Sequence, residues 1–481
     1  MSFNLADLIR KDCYIVCPNG RTVSSEYLRT LKNFYKQKIY QGLDGKTVGR
    51  VVVIWSNSLD VILPAVQAVW ELGAAIAVHD FEKKIVTHPA FVEFYQHISL
   101  VIGPPDSEEV LPDLPHVPAL ETVLSHIDFE NGRPEQDIYQ LKPQDYPDLD
   151  YQLDQVIDGN TVCAVSHTSG TTGHPKIVGI SHANAIDLVK ENIRLFEFAD
   201  QDRVLHYKTL HHGSLFLNYG LPAFVATNAH YWTIKKHQQP YHTFMQECIQ
   251  KCHDQQLTKW LVPYSLIRTF PKLSPVDLSC TQLITVVGPT QDEMRSILEQ
   301  FNPPWVANNF GCTELGTLVI SKTNNSNVDQ YSPTRFQYFN TMIEIQPHQR
   351  WFRAKYINDT DWKTIGDVVD VRPNCFEWQG RNNVLIVDDQ AVDVSGLKAW
   401  LESYLGSLDF VLVPDFELGY LYLALFDSRS ETTEEIKNAV RNQFAVNLAS
   451  IDYFDFSQYA RGVKPSQPLL LYAFRNSLNT V

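Results

Sequence analysis

Nine consecutive residues gather the groups a phosphate-handling site needs: Thr168, Ser169, Gly170, Thr171, Thr172, Gly173, His174, Pro175 and Lys176. Gly170 and Gly173 let the backbone bend and approach a ligand closely. Freed N–H groups and four hydroxyls can then surround phosphate oxygens, and Lys176 adds a full positive charge. A Walker loop needs four residues between its glycines and a lysine directly after the second. Here the glycines are three apart and Pro175 stands before Lys176, so that motif is not met. The apolar run at 177–180 reads as a strand, so the segment joins two strands. A plain Gly/Thr hairpin would share this composition.

The whole pattern resembles the signature loop of the adenylate-forming superfamily, roughly T-S-G-T-T-G-x-P-K-G-V after a hydrophobic residue. That superfamily comprises acyl- and aryl-CoA synthetases, peptide-synthetase adenylation domains and firefly-type luciferases. Two flanks depart: His167 precedes the loop, and Ile177 replaces the glycine after the lysine. The stretch Asn309-Phe310-Gly311-Cys312-Thr313-Glu314 resembles the family's N-x-Y-G-x-T-E. The resemblance implies that Asn309 belongs to the nucleotide site, Phe310 covers the adenine, Thr313 meets the α-phosphate and Glu314 helps hold magnesium. Stacking needs only a ring face, so phenylalanine can replace tyrosine, and a carboxylate is a suitable hard ligand for magnesium.

Further motifs follow in order. Val286-Val287-Gly288 resembles the strand and glycine turn beside the adenine, and Leu261-Val262-Pro263 sits where the family often has Val-Pro. Thr364-Ile365-Gly366-Asp367 resembles T-G-D with one residue inserted, which implies that Asp367 accepts hydrogen bonds from the ribose. Gly380-Arg381 matches the next element; Arg381 would also contact the ribose, with the hinge at Asn383. Gly462-Val463-Lys464 resembles the Gly-Lys element near the chain end, which makes Lys464 the catalytic lysine. The implied chemistry joins ATP and a small carboxylic acid, with Mg2+, into an acyl-adenylate and pyrophosphate. The acyl group would then pass to coenzyme A or to the phosphopantetheine of a separate carrier protein.

Two departures bear on that second step. Where the family continues Ile-Lys-x-x-Gly, this chain has Ile386-Val387-Asp388-Asp389-Gln390. Adenylation followed by transfer to a non-thiol acceptor is therefore an alternative, as is a non-catalytic nucleotide-binding member of the family. Amino-acid-activating relatives place an aspartate after the helix that follows the loop. Residues 208–216 hold no acid, so an uncharged aryl or acyl carboxylate is favoured. His211, His212, Gly288 and Gly311 are the candidate substrate-pocket residues; either histidine could equally be structural.

These groups must be carried by a scaffold. The β-branched run at 51–55 is a buried strand. Residues 58–72 carry apolar residues at helical spacing and end at Gly73. Strands at 74–78 and 99–103, with a helix at 91–97 between them, complete a βαβαβ rhythm, which implies a parallel sheet under helices. Residues 104–155 read as a long surface connection. Strands resume at 161–166, 261–262 and 283–287. Beyond Arg381 come a helix (397–405), strands (410–413 and 420–426) and a helix (432–444). The expected architecture is α/β: a large N-terminal domain (1–380) with mixed, largely parallel sheets, and a small mobile α+β lid (381–481).

The 481 residues suffice for two or more domains. A net charge of −15 gives no electrostatic support for binding nucleic acid or anionic membrane. No apolar run reaches the length of a membrane span, and the N-terminus lacks signal-peptide features. Scattered cysteines in apolar segments fit a reducing compartment, so a cytoplasmic location is expected. Cys248 and Cys252, four apart on a predicted helix, share a face. Nearby ligands are lacking, which favours two packed thiols over a zinc site.

Overall fold

The structure, a computed structural model, describes residues 4–56, 58–78, 96–103, 113–118, 141–167, 177–207, 216–233, 239–262, 267, 269–312, 315–347, 352–357, 359–365, 367–381, 384–387, 390–405, 410–415, 420–425, 433–444 and 447–453. The chain divides into two compact units. One holds most residues up to Gly380 and the other those from Arg381 onward.

The first unit opens with β1 (Tyr14–Val16), β2 (Thr22–Val23), α1 (Ser25–Gly42), β3 (Val51–Ile54), α2 (Leu59–Glu71) and β4 (Ala75–Val78). It continues through β5 (Ile98–Gly103), β6 (His116–Pro118), β7 (Val162–His167), β8 (Ile177–Ser181) and α3 (His182–Phe196). Next come β9 (Arg203–His206), a π-type turn Phe216–Gly220, α4 (Leu221–Ala226), β10 (Ala229–Trp232), α5 (Tyr241–Asp254), β11 (Lys259–Leu261), β12 (Leu283–Val286) and α6 (Gln291–Phe301). The antiparallel pair β13 (Val306–Cys312) and β14 (Gly316–Thr323) precedes short strands β15 (Arg335–Phe336), β16 (Tyr338–Phe339), β17 (Ile343–Pro347), β18 (Phe352–Tyr356), β19 (Lys363–Ile365), β20 (Asp367–Arg372) and β21 (Cys375–Arg381).

A six-stranded sheet runs β6-β5-β3-β4-β7-β8 and a nine-stranded sheet runs β16-β14-β13-β12-β11-β9-β10-β1-β2. The parallel pairing of β3 with β4 and β5 is what the βαβαβ pattern requires. The helix α2 is buried almost all round, which suits its nearly unbroken apolar sequence. Its Trp70 Nε1–H donates to the Cys163 carbonyl on β7 at 2.8 Å, tying helix to strand. The expected helix at 91–97 lies outside the described residues save for its last two. The strand expected at 261–262 instead begins at Lys259. That lysine is buried, with Nζ donating to the Phe196 carbonyl at 3.2 Å and lying 3.9 Å from the buried Asp202 carboxylate. A satisfied charge thus sits in a strand whose sequence pattern stops short of it. Cys248 and Cys252 are buried in the apolar cluster that α5 and α6 make over the nine-stranded sheet.

The second unit holds β22 (Val384–Val387), β23 (Gln390–Asp393), α7 (Val394–Leu405), β24 (Phe410–Asp415), β25 (Tyr420–Leu425), α8 (Thr433–Phe444) and β26 (Ser450–Tyr453). Its core includes Leu397, Leu401, Leu412, Leu423, Ile436 and Val440. This is the α+β composition expected of the C-terminal region. Among the described residues no helix is long and apolar enough to cross a membrane.

Among the described residues of the first unit, His182, His206 and His230 are buried. His182 accepts from the Leu5 N–H through Nδ1. His230 Nε2 faces the Thr227 carbonyl at 3.2 Å, and a carbonyl only accepts, so that nitrogen carries the proton. His230 Nδ1 then accepts from His206 Nε2–H at 3.2 Å. Burial pushes all three below the ordinary histidine value, His182 to about 4 and His230 to about 3. Their unfolded forms titrate near 6.5. Between these values the unfolded chain binds more protons, so the stabilisation is complete above about pH 6.5 and is lost as pH falls toward 4. His182 alone should cost about 2 kcal/mol of stability between pH 7 and pH 5. Urea midpoints at the two pH values measure this, and equal midpoints would contradict it.

Candidate functional site

The strands that end at the motifs lie side by side. β12 pairs in parallel with β13, Val286 against Asn308, so the Gly288 turn and the Asn309-Phe310-Gly311 stretch leave neighbouring strand ends. Carboxyl ends of parallel strands are where open α/β sheets place ligands. Gly288 has φ +61°, a left-handed turn that glycine adopts without strain.

The bond holding that turn comes from a residue the motif reading passed over. Gly288 N–H donates to Asn308 Oδ1 at 2.9 Å, and Asn308 Nδ2 donates to the Pro333 carbonyl at 3.1 Å. Asn308 is fully buried, and both bonds are part-buried. Tyr331 adds a hydroxyl donated to the Pro289 carbonyl at 2.9 Å. Asn309, singled out from sequence, is the neighbour, and its Oδ1 is buried without a partner. The spacing of N-x-Y-G held the signal: counted back from Phe310, its asparagine falls at 308. Asn308→Ala should leave Gly288 N–H and the Pro333 carbonyl unpaired, at about 1–3 kcal/mol. Thermal unfolding checks the loss, and an unchanged melting point would remove the bond from this account.

Phe310 is half-buried. Its ring centroid lies 5.6 Å from that of Phe336 and 5.3 Å from that of Phe376, and Phe352 meets Phe376 edge-on. The ring plane is thereby fixed by strands β15, β18 and β21. A β-bulge lies between Phe310 and Gly311. A Cβ on Gly311 would stand 2.2 Å from the Gly316 carbonyl oxygen, so the two strands approach too closely for any side chain there.

Asp367 begins β20 rather than lying on an exposed turn and is 7% exposed. Trp378 Nε1–H on β21 donates to its Oδ1 at 2.9 Å, which orients the carboxylate. Arg381 ends β21.

Residues 168–176 are flanked in sequence by strands that are neighbours in the six-stranded sheet, β7 before and β8 after, as the sequence reading of a connection between two strands expected. The Ser181 hydroxyl caps α3 by accepting from Asn184 N–H at 3.3 Å. Thr168, Ser169, Gly170, Thr171, Thr172, Gly173 and Lys176 themselves lie outside the described residues, as do His211, His212, Thr313, Glu314, Asn383, Lys464 and the side chain of Arg381.

Residues 41–345, more than half of the chain, match the family model described as AMP-binding enzyme, and the chain belongs to that family. In fold it is similar to the McyG A-PCP complexed with phenylalanyl-adenylate, with a TM-score of 0.64, 14% identity, and 98% of this chain and 95% of that one covered. ATP-bound MatB from Rhodopseudomonas palustris gives 0.62 and 13%, covering 95% of each chain. The amide bond synthetase McbA from Marinactinospora thermotolerans gives 0.63 and 13%, covering 96% of each. A curated relative, the long-chain-fatty-acid–CoA ligase ACSBG2 of Xenopus laevis, is 28% identical over 175 residues. That stretch is 34% of this chain, and it spans 23% of the ligase.

Proposed function

We propose that this protein activates a small carboxylic acid, aryl or acyl, with ATP. A carboxylate oxygen attacks the α-phosphorus in line, the bond to the bridging oxygen breaks, and pyrophosphate leaves as the acyl-adenylate forms. The observation that carries this reading is the Gly288 turn, pinned by Asn308, beside the fixed ring of Phe310 at adjacent strand ends. A flat ring next to a glycine turn suits a purine, which needs one apolar face and close backbone approach.

Two anions must meet, so the site has to neutralise charge. Lys176 and Lys464 carry positive charge to the phosphates and the carboxylate, and the loop N–H groups and hydroxyls of Thr168, Ser169, Thr171 and Thr172 act as fixed donors. Thr313 donates toward the α-phosphate. Asp367, oriented by Trp378, accepts from ribose hydroxyls, with Arg381 alongside. Magnesium, held through Glu314, supplies further neutralisation when bound. Positioning is the main work asked of the chain. Residues 381–481 act as the lid, turning about Asn383 between half-reactions. The protein works in the cytoplasm.

The acyl group then passes to the thiol of coenzyme A or of a carrier protein's phosphopantetheine. The McyG A-PCP structure, a solved neighbour in fold, supports the carrier version. A second reading, transfer to a non-thiol acceptor such as an amine, is favoured by Val387 and Gln390. They are direct partners across the β22–β23 hairpin, where the family pattern has lysine and glycine. McbA, an amide bond synthetase, shares the fold. Product analysis by mass spectrometry, with coenzyme A present or absent, separates the readings. A thioester with AMP supports thiol transfer. An adenylate that persists with coenzyme A but is consumed by an amine supports the second reading. Neither AMP nor adenylate with any acid would reject activation.

A further inference from the structure

Among the described residues, Thr285 and Asn309 each bury a polar atom without a hydrogen bond on one face of the nine-stranded sheet, as does Trp232 on β10. Thr285 on β12 is completely buried and its Oγ1 has no partner. Asn309 on β13 is 9% exposed and its Oδ1 has none. Native interiors rarely leave such atoms unpaired, because each costs about 1–3 kcal/mol. Thr285 pairs in parallel register with Ala307, and Asn309 lies two residues further along the same strand. Strand alternation therefore puts both side chains on one face, opposite to Asn308 and Phe310. Leu261 and Ala307, the register partners of Thr285, and Ile320, the partner of Asn309, belong to one apolar cluster on that face. The same cluster holds Tyr219, whose hydroxyl is also buried without a partner, and an apolar wall with unpaired polar atoms near the carboxyl ends of parallel strands has the composition of a small-molecule site.

We infer that Thr285 and Asn309 bind a hydrogen-bonding substituent of the acid, and that the substrate class is a hydroxylated carboxylic acid. This rests on the acid-activating reading and deepens it. An amide oxygen only accepts, so the group that meets Asn309 must donate; the threonine hydroxyl both donates and accepts. A substrate hydroxyl offers one proton and two lone pairs. One such group, or two on neighbouring carbons, pairs both atoms. An ammonium substituent would also donate, but it would bring an uncompensated charge against Leu261, Ala307 and Ile320, which disfavours it. A substrate with neither group would leave both atoms unpaired in the closed site.

The test is pyrophosphate release with matched acids: hydroxybenzoates against benzoate, and hydroxy fatty acids against their parents. The wild type should favour the hydroxylated member of at least one pair by about tenfold or more in kcat/KM, because a site built to bond a hydroxyl rejects the analogue lacking it. Thr285→Val, close in shape, should shrink that ratio severalfold, whereas Thr285→Ser should retain it. Parent acids used as well as or better than hydroxylated ones would overturn the inference while leaving acid activation intact. So would an unchanged ratio in Thr285→Val. Should that variant not fold, the wild-type pairs still decide. No release with any acid would reject acid activation and this inference together.

Discussion

Replacing Lys464 by alanine should lower the rate of adenylate formation by about 10²–10³-fold, the effect typical of removing one group that stabilises developing charge in a transition state. In the proposed first step a carboxylate approaches an already anionic phosphate, and charge shifts onto the leaving pyrophosphate. A cation bridging both reactants would matter far more there than in the separate ground states. ATP affinity should therefore change much less than the rate. Single-turnover adenylate formation and equilibrium ATP binding, measured on one preparation, separate the two quantities. Equal losses in both would make Lys464 a nucleotide-binding residue. An unchanged rate would remove it from the chemistry.

Gly316→Ala should destabilise the first unit by about 3 kcal/mol or more. Three costs coincide at this residue. Its φ is +75°, which a Cβ disfavours. That Cβ would stand 2.1 Å from Asn218 Oδ1 and 2.9 Å from a Leu188 methyl. Asn218 Oδ1 also accepts the buried Thr317 N–H at 3.1 Å, so moving it aside breaks a shielded hydrogen bond. Gly20→Ala is the control: its φ is +84°, but nothing lies within 4 Å of the added carbon. It should cost only about 1 kcal/mol. Equal losses in denaturant titrations would mean that backbone conformation alone matters at Gly316. Because β14 starts there, the same substitution also disturbs the end of the connection that carries Thr313 and Glu314.

The parts of the fold legible in sequence are those whose surroundings are uniform. Strands β3 to β5 and helix α2 are buried on most sides, so their residues are apolar almost without interruption. The rhythm of the second unit is legible for a similar reason, its helices having one clear apolar face. Elements that carry paired polar groups are harder to read. Lys259 lies inside a strand because Asp202 and a carbonyl satisfy its charge. Asn308 and Asn309 lie in β13, where the strand passes from core to site; their polarity suggests a loop, whereas one fastens a turn and the other carries an unpaired oxygen. The strands from β15 to β19 are two to five residues long, too short for any period to register. Motif spacing located the Gly288 turn and the Phe310 ring. It gave no hint of Trp378, the partner of Asp367 eleven residues away, because that contact depends on how β20 and β21 pair.

The most direct test of the central claim is ATP–pyrophosphate exchange with the full chain, across a panel of aryl, fatty and amino acids. The account predicts exchange that depends on an added acid, strongest for an aryl or acyl carboxylate bearing a hydroxyl. Absence of exchange with every acid, in a preparation shown to bind ATP, would contradict it and leave a nucleotide-binding protein without adenylation chemistry.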